Sequence, residues 1–247
     1  MATTTQGGTN GATGATQESP GPWYTRVNDP TFRFAPRDVV ALLAGLAVVL
    51  LVYEARVNDI FPGLDLSLGL TGPASTTLLK WVGAALLLAV VLVLERRRLA
   101  TMLLVRPTGK DVSFAVYAFG VAIVWSWLAS MIWPQGANEG QDSITGLGVG
   151  GVLILLITAA VTEEIVYRGY LAERFGALLR SRWIGAAVSL AIFVVPHVVV
   201  FGPSWLLIHL VGSLAIVTVV LVRCNLWAAM LTHLLVNAPI LIPTILG

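Results

Sequence analysis

The chain has 247 residues, of which 57% are hydrophobic and 11% are charged, and its formal net charge is +2. Soluble globular proteins carry roughly 25% charged residues, so this composition indicates a multi-pass membrane protein with little room for a soluble domain. The small net charge does not favour nucleic-acid binding. The single cysteine, Cys224, excludes an internal disulfide and a zinc site built from several cysteines.

Residues 1–22 are mainly Thr, Gly and Ala and lack both the basic and the apolar region of a signal peptide. We expect residues 1–37 to form a flexible tail. The remainder is divided into two N-terminal transmembrane helices within 38–110 and a core domain at 111–247.

Seven apolar segments follow the tail, and most approach the ~20 residues that a helix needs to cross the hydrocarbon core. They cover 39–53, 78–94, 112–133, 147–175, 184–201, 204–222 and 226–246. We take the fourth, which is the longest, as the only segment that charge interrupts. The sequence therefore predicts an all-α, polytopic membrane protein with about seven transmembrane helices, and six to eight as the range.

Lysine and arginine residues determine the orientation of such a protein. With a cytoplasmic N-terminus, most of these residues fall on the cytoplasmic side, and the opposite side receives Arg56 and Lys80. The 134–146 loop on that opposite side contains Glu139 and Asp142 but no basic residue. We therefore predict an integral protein of the cell membrane whose N-terminus is cytoplasmic and whose C-terminus is outside.

Ionisable residues inside a span are functional candidates, because each costs at least ~2.5–3.5 kcal/mol on insertion scales. The candidates, with one polar neighbour, are Glu163, Glu164 and Arg168 in the fourth segment, His197 in the fifth, His209 in the sixth, and His233 with Asn237 in the seventh. Since no single segment carries them all, an active site would have to form between helices within the bilayer.

Helical spacing divides these candidates into pairs. Glu164 and Arg168 are four residues apart, on one helical face, as an internal ion pair requires. Glu163 is rotated by about 100° from Glu164 and is expected to face elsewhere. The same four-residue spacing relates His233 to Asn237.

Each of these features also has a purely structural interpretation. Glu164 and Arg168 could form an ion pair that only stabilises a buried helix, and Glu163 could lie at the cytoplasmic boundary. His197 could be a packing residue, and His233 with Asn237 could form an interhelical hydrogen bond. The joint pattern is much rarer than its parts, which favours a functional interpretation.

The pattern reads Glu163-Glu164-x-x-x-Arg168, then Phe193-x-x-x-His197, then His233-x-x-x-Asn237, each in a separate apolar segment. It resembles the CPBP family of intramembrane proteases, also called the CAAX protease and bacteriocin-processing (Abi) family, whose eukaryotic relatives are type II CAAX prenyl endopeptidases. The resemblance covers roughly residues 110–245.

The resemblance implies a role for each matching residue. Glu163 would be the general base that activates water together with His197. His233 and Asn237 would stabilise the oxyanion of the tetrahedral intermediate. Glu164 and Arg168 would orient their helix, and Phe193 would support the site. The chemistry agrees, because amide hydrolysis needs a base for water and donors for the developing charge.

Two features of this site remain open at the level of sequence. Glu163, His197 and His233 could bind zinc, with water as the fourth ligand, or the same residues could act without metal, and we favour the metal-free form. Arg174, Arg180 and Arg182 could form a basic rim that steers an acidic substrate end, or they could reflect topology alone.

The favoured function is an intramembrane endopeptidase that cleaves near the membrane surface, with CAAX-type C-terminal processing as the expected reaction. Its expected partners are the lipid bilayer and a peptide or protein substrate, for which a prenyl group is an open alternative. A transporter is disfavoured, because no inverted repeat or paired broken helices are visible. A membrane adaptor or bacteriocin self-immunity protein, acting by binding, is the main alternative.

Overall fold

The computed structural model describes residues 36–54, 72–133 and 139–246. The predicted tail therefore lies almost wholly outside the described residues, as does Arg56. Helices account for most of the described chain, and the described ranges contain no strand.

Seven helices are long and apolar enough to cross a membrane, which confirms the predicted fold class. In chain order, α1 to α7 are Pro36–Tyr53, Thr76–Leu94, Gly109–Ile132, Gly148–Leu178, Arg182–Phe201, Ser204–Arg223 and Leu226–Leu246. The α2 helix starts before this span, at Gly72. Within the loop predicted at 134–146, Glu139–Thr145 forms a short helix.

Helix α4 is the most extensively buried of the seven, and it packs against α2, α5 and α7. Its middle part, Ala159–Ala172, is a π-helix between the α-helical parts Gly148–Thr158 and Glu173–Leu178. A π-helix has i→i+5 hydrogen bonds and hence more residues per turn, and it is often found at functional sites. The 100° rotation expected between Glu163 and Glu164 assumed α-helical geometry, which does not apply to this part of α4.

Polar contacts fix the ends of the helices around α4. The backbone N–H of Thr108 donates to the Asp111 carboxylate over 2.7 Å, which caps the start of α3. Asp111 also accepts from Arg223 Nε at 2.8 Å, so the start of α3 is tied to the end of α6. At the start of α7, Asn225 accepts from the backbone N–H of Ala228 at 3.1 Å.

The α4 and α5 helices approach each other closely at Gly185. A Cβ atom at this position would collide with the backbone of Gly176 and Ala172 in α4. Only a residue without a side chain allows this approach, which sets the position of α5 relative to α4.

The environments of two basic residues, Lys80 and Arg174, differ from those predicted from the sequence. Lys80, assigned above to the side opposite the N-terminus, lies within α2 and contacts Glu163, so charge also interrupts the second apolar segment. Arg174, expected on a basic rim, is buried and bonds both Glu95 oxygens, at 3.0 and 2.5 Å. Arg174 therefore stabilises the interior and is not accessible to steer a substrate.

Candidate active site

Glu163 and Glu164 are both buried in the π-helical part of α4, at 5% and 0% exposure. Buried carboxylates are costly unless they are paired and hydrogen-bonded. The partners of these two side chains therefore indicate what holds the site together.

Glu164 forms a network with Arg168 and His233. Its Oε1 accepts from Arg168 Nη1 at 3.1 Å, the ion pair that the i, i+4 spacing predicts. The same oxygen lies 2.8 Å from His233 Nδ1 in α7. Because an ionised carboxylate only accepts hydrogen bonds, His233 Nδ1 carries the hydrogen. The α7 imidazole is thereby held in one orientation by α4.

Glu163 lies beside the same imidazole and beside a lysine. Lys80 Nζ, from α2, is 2.5 Å from Glu163 Oε1. Glu163 Oε2 is 3.8 Å from His233 Nε2, which is too long for a direct hydrogen bond. From α-helical geometry, the two carboxylates were expected to face different directions. In the structure both face His233, and each lies near a different nitrogen of its ring.

Phe193 is the aromatic centre of the site. Its ring lies 5.1 Å from the Tyr167 ring, 4.3 Å from the His197 ring and 6.2 Å from the His233 ring. The Arg168 guanidinium packs over it at 4.3 Å, a cation–π contact. Phe193 therefore links α4, α5 and α7.

His197 is placed by its own helix and by aromatic neighbours. Its Nδ1 is 2.7 Å from the Phe193 carbonyl oxygen, to which it donates. Its ring also lies 5.0 Å from the Trp205 ring of α6. His197 and the Glu163 carboxylate, expected to act together, do not share a hydrogen bond among the described residues.

Asn237 is the last residue of the α-helical part of α7, Leu226–Asn237, one turn after His233. Its side chain is half-buried. Within the described ranges it makes no side-chain hydrogen bond, so its amide has no fixed protein partner there.

Helices α1 and α2 hold the stretch of α4 that carries the carboxylates. Tyr53 of α1 is 3.1 Å from the Thr162 hydroxyl, and Trp81 Nε1 of α2 donates to the Thr158 hydroxyl at 3.1 Å. The Tyr167 hydroxyl donates to Glu54 at 2.5 Å. These contacts lie on both sides of Glu163, so the first two spans support the stretch of α4 that carries it.

The zinc alternative does not fit this arrangement. No group of three His, Cys, Asp or Glu side chains in the described ranges is placed to hold a metal ion. The Lys80 ammonium occupies Oε1 of Glu163, so a metal ion at this carboxylate would lie against a fixed positive charge. A metal ion would have to displace the Lys80 ammonium from Glu163 or bind beside its charge.

Three residues that contact the carboxylate-bearing part of α4 were not predicted from the sequence: Lys80, Tyr53 and Glu54. A signal for Lys80 was present, because it is an ionisable residue inside the apolar segment 78–94 and meets the criterion applied to α4. Tyr53 and Glu54 lie at the end of α1, and their contacts with α4 span more than a hundred residues of sequence. No local spacing predicts such contacts.

Comparison with known proteins identifies the part of the chain that carries this site. Residues 145–239 match the family model described as Type II CAAX prenyl endopeptidase Rce1-like. No curated protein matches the chain. No solved structure matches it either.

The matched segment contains Glu163, Glu164, Arg168, His197 and His233, and it begins just before α4. At the level of the family, this supports a CAAX-type intramembrane protease in an integral, multi-pass membrane protein. The match over residues 145–239 supports the similarity of this part of the chain to the CPBP/CAAX protease family.

Proposed function

We propose that this protein is an intramembrane endopeptidase in which Glu163 activates water to hydrolyse a peptide bond near the membrane surface. We further propose CAAX-type C-terminal processing of a protein or peptide as the reaction. The observation that carries this proposal is the 3.8 Å separation between Glu163 Oε2 and His233 Nε2.

Both atoms at this separation are hydrogen-bond acceptors in the ground state. His233 donates from Nδ1 to Glu164, so in the neutral imidazole Nε2 carries a lone pair. Glu163 Oε2 is a carboxylate oxygen. Two acceptors stay close only with a donor between them, and a polar contact beyond 3.5 Å is the usual place for a bridging water. A water here would donate one hydrogen to each.

The reaction then follows from this geometry. Glu163 Oε2 takes one proton from the water as its oxygen bonds to the carbonyl carbon, and the carbonyl π electrons move to oxygen to form the oxyanion. When the intermediate collapses, the C–N bond breaks and the amine nitrogen takes the proton from Glu163. The products are a carboxylic acid and an amine, and transfer of the remaining water proton from the acid to the amine leaves a carboxylate and an ammonium. The enzyme returns to its initial state.

The other polar groups have roles in this scheme. His233, held by Glu164, orients the water rather than serving as an oxyanion donor in its neutral form. Asn237, one turn later on α7, supplies amide N–H groups for the oxyanion. His197 donates from Nδ1 to the Phe193 carbonyl, so the Nε2 of its neutral ring can accept a hydrogen bond from water.

Cleavage of a fluorogenic farnesylated CAAX peptide by the detergent-purified protein tests this proposal. We expect Glu163→Gln to lower kcat/KM by about 10²–10⁴-fold, the range for loss of a general base. Glu139→Gln is the matched control, because Glu139 is exposed on the short helix before α4. Its rate should equal that of the wild type.

Three results would contradict parts of the proposal. Equal rates for Glu163→Gln and wild type would exclude Glu163 as the base. Cleavage lost on chelation and restored by zinc would contradict the metal-free scheme. If wild type cleaves neither the farnesylated peptide nor its unmodified counterpart, the CAAX substrate class fails, and a binding function becomes the better account.

A further inference from the structure

We propose that Lys80 is part of the hydrolytic site, as the counter-ion that keeps Glu163 in its basic form and offsets the negative charge of the reaction. Lys80 lies in α2, outside the segment 145–239 that matches the family model. This inference rests on the proposed function, because it concerns the same carboxylate.

The contact between Lys80 and Glu163 is a partly buried ion pair between two helices. The ammonium lies 2.5 Å from Glu163 Oε1, and the side chains are 26% and 6% exposed, respectively. An ionised carboxylate in the interior is retained only if a partner compensates the loss of water. Since Lys80 bonds Oε1, Oε2 stays free to face His233 and take a proton.

Neighbouring residues hold Lys80 in place. Its ammonium lies 5.6 Å from the centre of the Tyr53 ring, within cation–π range. The next residue, Trp81, donates to the Thr158 hydroxyl of α4 at 3.1 Å. Tyr53 in turn contacts Thr162, immediately before Glu163. The α1 and α2 helices thus fix both ends of the ion pair.

The other nearby cation is committed elsewhere. Arg168 pairs with Glu164 and packs on Phe193. Of the cations in the described ranges, Lys80 is the one that forms an ion pair with Glu163. The site therefore contains two pairs, Lys80 with the proposed base and Arg168 with the carboxylate that orients His233.

The negative charge in the site changes position during the reaction, and Lys80 can stabilise it both before and after the proton transfer. Before attack, Glu163 carries one negative charge beside the ammonium. When Glu163 accepts the proton from water, it becomes neutral and one negative charge appears on the substrate oxyanion. The Lys80 ammonium, fixed beside Glu163, stays close to this charge as it moves to the adjoining substrate. A preorganised charge of this kind lowers a barrier in a site of low dielectric constant.

Replacement of Lys80, followed by chemical restoration of its charge, tests the inference. We expect Lys80→Met to lower kcat/KM by about 10²–10³-fold, the cost of losing one electrostatic stabiliser. We expect Lys80→Arg, which keeps the charge, to retain more activity than Lys80→Met. Lys110→Met is the matched control, since Lys110 is the other lysine of the chain and is exposed. Its rate should be unchanged.

A cysteine at position 80 can be modified after the protein has folded. The effect of the charge is thereby separated from any effect of the substitution on folding. In a Cys224→Ser background, which removes the natural cysteine, Lys80→Cys is purified and treated with 2-bromoethylamine, which restores an ammonium at nearly the length of lysine. Iodoacetamide, which adds a neutral group, is the control. Intact mass shows complete modification before rates are compared. We expect recovery of at least tenfold with the amine and none with the amide.

The outcomes separate this inference from the proposed function. If Lys80→Met cleaves as fast as wild type or faster, the inference is wrong and Glu163 can still be the base. If both reagents restore activity equally, side-chain volume matters and charge does not, which also overturns the inference. If the wild type does not cleave, it is the proposed function that fails.

Discussion

His233 Nδ1 of α7 lies 2.8 Å from Glu164 Oε1 of α4, and the same oxygen accepts from Arg168. The imidazole is held in this way with its other nitrogen turned toward Glu163. The adjacent carboxylates therefore have different contacts, because Glu164 binds the histidine while Glu163 keeps an oxygen free. This relationship predicts different results for the two glutamates.

We expect Glu164→Gln to lower kcat/KM by about 10–100-fold, less than Glu163→Gln does. The amide oxygen of glutamine still accepts from His233, but the ring is held less firmly, and a small misplacement in a catalytic site costs up to about 10²-fold. Parallel measurement of both variants on the CAAX peptide checks the order. A larger loss for Glu164→Gln than for Glu163→Gln would contradict the assignment.

Removal of Arg168 should destabilise the protein more than removal of both members of its ion pair. Arg168→Met leaves the Glu164 carboxylate buried without its cation, and breaking a buried pair costs about 3–5 kcal/mol. The double variant Glu164→Gln/Arg168→Met removes both charges. We expect the Tm of the double variant in detergent to lie above that of Arg168→Met. Arg106→Met is the control, because Arg106 is exposed, and its Tm should match that of the wild type. Equal Tm values for the single and double variants would show that no charge is left uncompensated.

Substitution of Gly185 should separate α4 from α5. A Cβ here meets the α4 backbone, so we expect Gly185→Ala to cost about 1–3 kcal/mol by overpacking. Gly120→Ala in α3 is the control, because its Cβ would meet nothing within 4 Å. Alanine at that helical position should be neutral or slightly stabilising. The measurement is the Tm of both variants in the same detergent. Equal Tm values for Gly185→Ala and Gly120→Ala would contradict the close approach of α4 and α5 at Gly185.

Arg174 should act on stability and not on substrate affinity. Arg174→Met leaves the buried Glu95 carboxylate without its two charge-assisted hydrogen bonds, so we expect a lower Tm. Arg180→Met changes an exposed residue and should leave Tm unchanged. A raised KM for an acidic peptide with an unchanged Tm in Arg174→Met would instead support the basic rim.

The seven spans could be predicted because each is a predominantly apolar run of about the length that crosses a bilayer. The Glu164–Arg168 pair could be predicted because both residues lie on one helix, where spacing determines direction. Both depend on local pattern alone.

The remaining contacts of the site depend on packing between helices. Lys80 meets Glu163 across 83 residues of sequence, and Tyr167 meets Glu54 across 113. The spacing arguments also assumed an α-helix, whereas Ala159–Ala172 is a π-helix, so both carboxylates lie near His233. An isolated charge in an apolar run, such as Lys80, marks one end of such a contact but does not identify the other.

The central claim is that Glu163 activates water. The most direct test is to find the source of the oxygen that enters the product in a single turnover. Excess enzyme is mixed with the CAAX peptide in ¹⁸O-labelled water, and the product and the digested enzyme are analysed by mass spectrometry. Direct attack by water predicts ¹⁸O in the new C-terminal carboxylate of the product and none in the enzyme peptide that contains Glu163. Unlabelled product, with ¹⁸O in that enzyme peptide, would show that Glu163 attacks the substrate itself and would contradict the account.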